Sequence, residues 1–240
     1  MRTQNQLLAA LPAATFRRLS PHIDSVILGV GEHLYPAAGK LRFAYFPVDS
    51  IVTLSYAIGG RAMAKAWPIG REGMVGICLL LGSPQQRYNQ AEVQFRGAAL
   101  RISAPALMAE FRRGGALQRV LLRYVFASIT QASQLSVCNL YHSADQRLCR
   151  FLSRGFDRVN GKDLIITQSR IAALLGLRRE GITDIALQLQ QAGVIRYCRG
   201  SITLLDRRAL EKRACACDEI IRHAFAAVSH EPRLRHQPRV

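Results

Sequence analysis

The chain has 240 residues, 49% of them hydrophobic and 20% charged, which indicates a folded protein with room for two domains and disfavours intrinsic disorder. Lysine and arginine outnumber aspartate and glutamate by 33 to 16, for a net charge of +17. The excess is +9 over residues 1–143 and +8 over residues 144–240. It predicts an anionic partner. Charge alone does not distinguish DNA from a membrane surface or another polyanion.

The start of the chain and its cysteines predict a cytoplasmic protein. The early run LLAALPAA is too short and too weakly flanked for a secretory signal, and it predicts an amphipathic helix that ends near Leu19. No stretch approaches the ~20 apolar residues of a membrane span. The cysteines form no framework typical of secreted domains, so reduced thiols are expected at Cys78, Cys138, Cys149, Cys198, Cys215 and Cys217.

Residues 24–102 consist of short apolar or alternating runs broken by glycine and proline, a pattern typical of an all-β barrel or sandwich. A cupin-type metal enzyme would need two histidines and a carboxylate at one point of such a barrel, and no H-x-H motif occurs. We therefore expect no enzymatic activity. Haem could use His22, His33 or Cys78, but we interpret Cys78 as a buried structural cysteine and His33 as a surface histidine.

Two helices are predicted next, a short one over residues 105–113, stopped by Gly114 and Gly115, and a long one over residues 116–138. The long helix has two apolar rows, which need two surfaces to bury them, such as its own barrel and the same helix of a second subunit. Burial inside a monomer is the alternative. One row is Leu117, Leu121, Tyr124, Ser128 and Leu135, and the other is Leu122, Val125, Phe126, Ile129 and Ala132.

A further amphipathic helix is predicted within the segment 138–159, with Ser143 as its N-cap. Cys138, His142 and Cys149 lie around its start and raise the question of a metal site. Three candidates at uneven spacing fall short of a zinc signature, so we predict no metal site. We interpret this junction as a hinge between two domains.

The run from residue 164 to residue 205 carries the most specific local pattern in the chain. Thr167 predicts the N-cap of a helix, and Gly176 predicts the turn after it. The second helix ends at Gly193, and two β-rich runs joined through Arg199 and Gly200 predict a hairpin with a basic tip. Together these elements form a winged helix-turn-helix. The apolar stripe of the second helix, at i, i+3, i+4 and i+7, is Ile182, Ile185, Ala186 and Leu189.

At these residues the chain resembles the Crp/Fnr superfamily of bacterial transcription regulators. The family's signature opens with I-T-x-x-x-I-A-x-x-L-G, continues with an R-E pair and L-x-x-x-G-(L/V)-I, and closes with an R-G-x-I wing. Where the family usually has a second arginine four residues after its glutamate, this chain has Asp184, so its base preference is expected to differ. The matching residues are Ile166, Thr167, Ile171, Ala172, Leu175, Gly176, Arg179, Glu180, Leu189, Gly193, Val194, Ile195, Arg199, Gly200 and Ile202.

The resemblance extends to the barrel, where GREGMVGI at residues 70–77 looks like the family's G-x-E-G-M-V-G-I loop and implies a cyclic-nucleotide-binding-like β-roll. A nucleotide pocket in the family needs a Gly-Glu pair for the ribose and an arginine beside a small hydroxyl residue for the phosphate. Asn89 and Gln90 stand in this region instead, and Arg87 is interpreted as a surface charge. The iron-sulfur members carry N-terminal cysteines, whereas this chain has none before Cys78. We expect no cofactor and no cyclic-AMP site.

The family uses its corresponding long helix as a dimer seam. The resemblance therefore implies a homodimer whose two recognition helices lie about one DNA turn apart on a palindromic site. The resemblance also implies double-stranded DNA and RNA polymerase as partners. It implies no association with a membrane. The row that we assign to the dimer seam is Leu117, Leu121, Tyr124, Ser128 and Leu135.

DNA contacts follow from the chemistry of the exposed residues. Arg179 is the candidate for a bidentate bond to guanine, and Glu180 can accept from the cytosine amino group. The sequence leaves three roles open for Arg178, which are a base contact, a phosphate contact and a solvated charge. Base contacts are predicted for Arg178, Arg179, Glu180 and Asp184, and phosphate contacts for Thr167, Gln168, Ser169, Thr183, Arg199 and Ser201.

The segment after Asp206 predicts one closing helix with an apolar row. Cys215 and Cys217, two positions apart on such a helix, would point about 200° apart, so one is expected in the core and the other at the surface. A redox switch between subunits is the alternative. Residues 229–240 are basic and expected to be disordered. The apolar row is Leu210, Ala214, Cys217, Ile221 and Phe225.

These patterns predict an α+β protein with a β-roll or jelly-roll sensor domain at residues 1–114, a dimerisation helix and hinge at 115–142, and a winged helix-turn-helix domain at 143–228. The expected function is a sequence-specific transcription regulator that binds a palindromic operator as a homodimer, with an effector other than cyclic AMP or with none. The alternative is a ligand-sensing or protein-interaction module whose helix-turn-helix does not read DNA sequence.

Overall fold

A proline divides the N-terminal segment into two helices where the sequence predicts one. The computed structural model describes residues 4–35, 40–59, 62–82, 89–159 and 163–229. Its first helices are α1 (Gln6–Ala9) and α2 (Ala13–Leu19), and Pro12 between them has no backbone N–H to continue the hydrogen bonding. Asn5 caps α1, and its side-chain amide donates to the carbonyls of Pro47 and Gly73 at 2.9 and 3.0 Å. The start of the chain is thereby fixed to the barrel.

Within the described residues, seven strands form the N-terminal β-roll. They are β1 (Ile23–Leu28), β2 (His33–Tyr35), β3 (Phe43–Pro47), β4 (Ile51–Gly59), β5 (Ala62–Ile69), β6 (Asn89–Phe95) and β7 (Gly97–Ser103), with 3-10 turns at Ser20–His22 and Ile77–Leu79. One antiparallel sheet has the order β1-β7-β3 and the other β2-β6-β4-β5. Both sheets contribute to one apolar core, as the sequence predicts. His33 is exposed, as predicted, whereas Cys78, predicted to be buried, is half-buried and packs against that core.

The two helices that follow strand β7 pack on this core. They are α3 (Ala104–Arg112) and α4 (Ala116–Tyr141), separated by Gly114 and Gly115, whose φ values of 75° and 90° suit glycine. On α4, the Tyr124 hydroxyl donates to the carbonyl of Met74 at 3.0 Å. This bond sets the rotation of α4 against the barrel.

The rotation of α4 corrects the predicted dimer face. Leu117, Leu121, Tyr124 and Ser128 are buried, and Leu135 is packed against the same core, so this row faces the chain's own barrel. On the second row, Phe126 is 69% and Ile129 is 59% exposed. The two rows are about equally apolar, so the sequence could not tell which one meets the barrel.

The C-terminal winged helix-turn-helix has the predicted order of elements. They are α5 (Ala144–Val159), β8 (Asp163–Ile165), α6 (Gln168–Leu175), α7 (Arg179–Gln191), β9 (Ile195–Cys198), β10 (Ser201–Leu204) and α8 (Arg207–Arg213), and the strands pair in the order β8-β10-β9. Ser143 caps α5 as predicted, since its hydroxyl accepts from the Gln146 amide at 3.3 Å. Strand β8 was missing from the prediction because its three residues are too few to show a period.

The closing segment is two helices, and the prediction of one continuous helix is wrong. After α8 the chain is extended at Ala214 (ψ 153°), and α9 then spans Cys217–Ser229. Leu210 lies in the core of the winged helix-turn-helix, whereas Ile221 and Phe225 lie in the barrel core against α4. One straight helix could not reach both cores. Residue 230 onward, within the tail predicted to be disordered, lies outside the described residues.

The break between α8 and α9 also changes the cysteine pair. Cys215 and Cys217 are both buried and lie beside Cys138. The prediction of one core and one surface thiol is therefore wrong, because it assumed an unbroken helix. Cys149 lies apart from them in the winged helix-turn-helix core. None of the helices in the described ranges has the length and apolarity that crossing a membrane requires.

Candidate nucleic-acid interface

The helix-turn-helix is fixed by a cap, a glycine turn and an apolar stripe. The Thr167 hydroxyl accepts from the Arg170 amide at 3.3 Å and fixes the start of α6. Gly176 ends α6 with φ 62°, in the left-handed region that glycine adopts at little cost. Ile182 and Leu189 of α7 are fully buried in the core below. The opposite face of α7 is therefore held outward.

The outward face of α7 carries all four residues predicted to contact bases. Arg178, Arg179, Glu180 and Asp184 are exposed, and across the described part of the chain their side chains have no hydrogen-bond or ion-pair partner. Arg178 is the N-cap, and Arg179 and Glu180 stand in the first turn of the helix. An exposed guanidinium with all its donors available can form the bidentate bond that guanine accepts in the major groove.

Two of the predicted phosphate contacts bond to each other and brace the motif. The Thr183 hydroxyl donates to the Gln168 side-chain oxygen at 2.9 Å, joining α7 to the start of α6. The backbone N–H of Gln168 donates to the Tyr197 hydroxyl on β9 at 3.2 Å. The start of α6 is thus tied both to the recognition helix and to the wing, while Thr167 and Ser169 beside it remain exposed.

The wing tip is a two-residue turn that presents an arginine. Arg199 and Gly200 have φ values of 47° and 81° between the paired residues Cys198 and Ser201, the pattern of a type I′ hairpin turn. Arg199 is exposed and Ser201 is half-buried. The Ile166 amide donates to the Gly200 carbonyl at 2.8 Å, so the wing tip adjoins the start of α6. Exposed Thr167, Ser169 and Arg199 therefore belong to one continuous surface.

Polar contacts among the described residues dock this domain onto the barrel. In the loop before the 3-10 turn, Glu72 accepts from Arg158 Nε of α5 at 2.7 Å, with both side chains buried. Burial alone would raise the pKa of the Glu72 carboxyl, but Arg158 and Arg154 more than offset it and hold the pKa below its ordinary value. On α6, Arg170 Nε donates to Gln94 Oε1 of β6 at 2.7 Å.

A cavity of about 520 Å³ lies where the barrel, α4, α5 and α6 meet. Arg150, Arg154 and Arg158 line it and are buried, and the Nε–H groups of Arg150 and Arg154 find no acceptor among the described residues. Burial and the charge of Arg158 lower the pKa of Arg154. Arg158 is already paired with Glu72, so the Nε–H groups of Arg150 and Arg154 are what this cavity offers to a ligand with acceptor atoms. Residues 83–88, with Arg87, lie outside the described ranges.

Comparisons with known proteins agree with this architecture. Residues 146–213 match the family model of the Crp-like helix-turn-helix domain. The fold resembles FixK2 of Bradyrhizobium japonicum (TM-score 0.65, 16% identity, 81% of this chain and 98% of that one) and a CRP/FNR-family transcriptional regulator of Thermus thermophilus (TM-score 0.62, 19% identity, 80% and 98%). It also resembles the c-di-GMP responsive regulator CLP of Xanthomonas campestris (TM-score 0.58, 16% identity, 81% and 100%).

No curated protein matches the sequence significantly. The structural likeness, at 16–19% identity, concerns the fold, and it spans both the β-roll and the C-terminal domain. The family match adds the identity of the C-terminal domain itself. The chain thus carries a Crp-like helix-turn-helix domain in the fold of the Crp/Fnr transcription regulators.

Proposed function

We propose that the protein is a sequence-specific transcription regulator, rather than an enzyme, that binds a palindromic DNA operator as a homodimer in the cytoplasm. The observation that carries this proposal is the outward face of α7, where Arg178, Arg179, Glu180 and Asp184 are exposed without partners across the described chain. Exposed arginine and carboxylate side chains without protein partners keep their donors and acceptors available for base edges in the major groove. RNA polymerase is the partner that such a regulator would meet next.

Base and phosphate contacts divide between the helix and the surface around it. Arg179 and Glu180 in the first turn of α7 read base edges, and Arg178 stands at the flank of the groove. Thr167, Ser169 and Arg199 meet the backbone phosphates from one continuous surface. Gln168 and Thr183 hold that surface in register through their mutual hydrogen bond and contact phosphate only in addition.

Dimerisation uses the exposed row of α4. Leu122, Phe126, Ile129, Val137 and Leu140 are all more than two-fifths exposed, and at about 100° per residue they lie on one face of the helix. A two-fold axis would place this row against its own copy along a helix of 26 residues, about 39 Å long. This seam replaces the row of α4 that is buried in the chain's own core.

Phe126→Glu should convert the dimer into a monomer. Phe126 is the most exposed residue of the central part of the row. A two-fold axis places Phe126 of both subunits in the same seam, so the variant dimer has two buried charges. We expect the dimer to weaken by at least about 30-fold, corresponding to a hot-spot loss of ~2 kcal/mol. Sedimentation equilibrium measures the change. Ile27→Glu, at an equally exposed apolar residue of β1, is the control and should remain dimeric.

If Phe126→Glu dimerises as tightly as the unchanged protein, the α4 seam is refuted. Circular dichroism of both variants separates loss of association from loss of folding, because Phe126 and Ile27 both lie outside the core. A folded monomer should also bind a single half-site far more weakly than the dimer binds the full palindrome.

The regulator works either with no effector or with one other than cyclic AMP, which would bind in the interdomain cavity through acceptor atoms. Support for this comes from the interdomain cavity, whose arginines Arg150 and Arg154 have side-chain donors without acceptors among the described residues. A ligand there would touch the barrel, α4 and the helix-turn-helix together, so its binding would change the orientation of the DNA-binding domain. The cavity is large enough for a small organic anion.

Selection of bound fragments from genomic DNA tests the whole proposal. The purified protein is incubated with the fragments at two salt concentrations, with and without cyclic AMP. We expect a palindromic motif that persists at the higher salt and does not depend on the nucleotide. Enrichment without a motif that disappears with salt would reject sequence reading, and it would favour the alternative of an interaction module with a basic surface.

A further inference from the structure

A cluster of three thiols and one imidazole lies at the junction of the two domains. Cys138, His142, Cys215 and Cys217 bring one side-chain atom each to a common point, with all four atoms within 4.8 Å of one another. Cys138 Sγ is 3.5 Å from Cys215 Sγ, and Cys217 Sγ is 3.4 Å from His142 Nδ1. The three cysteines are buried and His142 is half-buried.

We propose that these four residues bind a zinc ion. In a tetrahedral site with Zn–S of about 2.3 Å and Zn–N of about 2.0 Å, neighbouring ligand atoms lie about 3.5–3.8 Å apart. The two measured separations agree with this to within a few tenths of an ångström. Three cysteines and one histidine are a closed ligand set for structural zinc, and soft thiolates favour zinc over magnesium or calcium. On binding, the thiols release their protons to solvent and the thiolates coordinate the ion.

Simple core packing does not account for this cluster. Cys149 packs among apolar side chains of a large core, as buried cysteines usually do, and half-buried Cys78 packs against another. Cys138, Cys215 and Cys217 instead form a separate small cluster with a histidine beside it. The side-chain amide of Gln134 donates to Cys217 Sγ at 3.2 Å, the kind of bond that orients and stabilises a metal-bound thiolate.

The ion would fix both places where the chain passes between the domains. Cys138 and His142 lie at the end of α4, where the chain enters the DNA-binding domain. Cys215 and Cys217 lie at the break between α8 and α9, where it returns to the barrel. One zinc ion would hold these two connections together, so it would rigidify the hinge that sets the position of the helix-turn-helix.

The metal content of the full chain, purified under reducing conditions, is the first measurement. We expect about one zinc per chain by elemental mass spectrometry, consistent with a single closed site. After chelation, refilling with cobalt(II) should give the intense visible bands of a tetrahedral thiolate site, and loss of metal should lower the melting temperature. This spectrum requires no variant, so it remains informative if a cysteine variant folds poorly.

Matched variants locate the site. Cys217→Ser should abolish stoichiometric zinc, whereas Cys198→Ser, which removes an exposed thiol elsewhere, should leave it unchanged. Gln134→Leu removes only the donor to Cys217 and should weaken zinc binding about 10- to 100-fold in competition with a chelating dye. A preparation that is free of zinc and gives no cobalt spectrum overturns the proposal. A Cys138–Cys215 disulfide in the reduced preparation overturns it as well, since these thiols would then form a redox pair. Neither outcome would change the DNA motif obtained by selection, so the zinc proposal and the proposed function are tested separately.

Discussion

Replacing Arg179 with alanine should remove the preference for the operator while leaving weak binding that salt abolishes. Arg179 is exposed in the first turn of α7, and its guanidinium has no competing partner among the described residues. A bidentate arginine–guanine pair is worth ~1–3 kcal/mol of discrimination, so each half-site should lose about 5- to 150-fold. A symmetric dimer uses two copies of Arg179, and the losses should add. The remaining charge still binds phosphates without regard to sequence.

Fluorescence anisotropy with the selected operator and a scrambled duplex, at two salt concentrations, measures this change. Arg112→Ala is the matched control, because it removes the same charge from an exposed position of α3, far along the chain from the DNA-binding domain. Arg179→Lys keeps the charge but loses the planar fork, so it should lose most of the discrimination. If Arg179→Ala keeps the ratio of operator to scrambled affinity, Arg179 does not read a base.

The helix-turn-helix could be predicted from the sequence because its determinants are local. The Thr167 cap, the Gly176 turn and the stripe through Ile182 and Leu189 each act within a few residues, and the structure has all of them. The family resemblance rests on the same residues. Contacts between residues far apart in the sequence leave no such local signal. The Glu72–Arg158 contact joins residues 86 positions apart and could be seen only after folding.

Two errors of the sequence prediction, in the dimer face and in the cysteine pair, have the same physical origin. Which apolar row of α4 is buried depends on the contact of Tyr124 with the barrel, and nothing within α4 encodes that contact. The cysteine cluster depends on the break at Ala214, which a continuous helical period hides. One signal was available, because Cys138 and His142 stand at i and i+4 on one helical face. This spacing indicates two of the four ligands. The other two, Cys215 and Cys217, begin 77 positions beyond Cys138.

Glu72→Gln should destabilise the folded chain by about 3–5 kcal/mol, the cost of leaving one member of a buried ion pair without its partner. Glutamine keeps the size of Glu72 but cannot neutralise Arg158, which stays buried between the barrel and α5. Because this pair joins the two domains, its loss should also loosen the docking of the DNA-binding domain. The urea midpoint measures the first effect, and the radius of gyration from X-ray scattering measures the second.

A double-mutant cycle separates the pair from its surroundings. Arg158→Met alone should be as damaging as Glu72→Gln, since it leaves the carboxylate buried without its cation. The two changes together should cost less than their sum, because neither charge is then left alone. Glu110→Gln is the control. Glu110 is buried but its partner Arg18 is nearly half exposed, so Glu110→Gln leaves a cation that water can still solvate. Additive effects of Glu72→Gln and Arg158→Met would show that the two side chains do not stabilise each other.

Acid should weaken the same contact. Because Arg158 and Arg154 hold the pKa of Glu72 below its ordinary value despite burial, its ionised form is favoured by folding. That contribution is complete above the pKa of an unfolded glutamate, near 4.3, and is lost as the pH falls through the lower pKa of the folded state. The unfolding midpoint of the unchanged protein should therefore fall steeply below about pH 4.3. The unfolding midpoint of the Glu72→Gln variant should fall less steeply in this range, because the glutamine takes up no proton. Equal slopes for the two proteins would assign the acid sensitivity to other carboxyl groups.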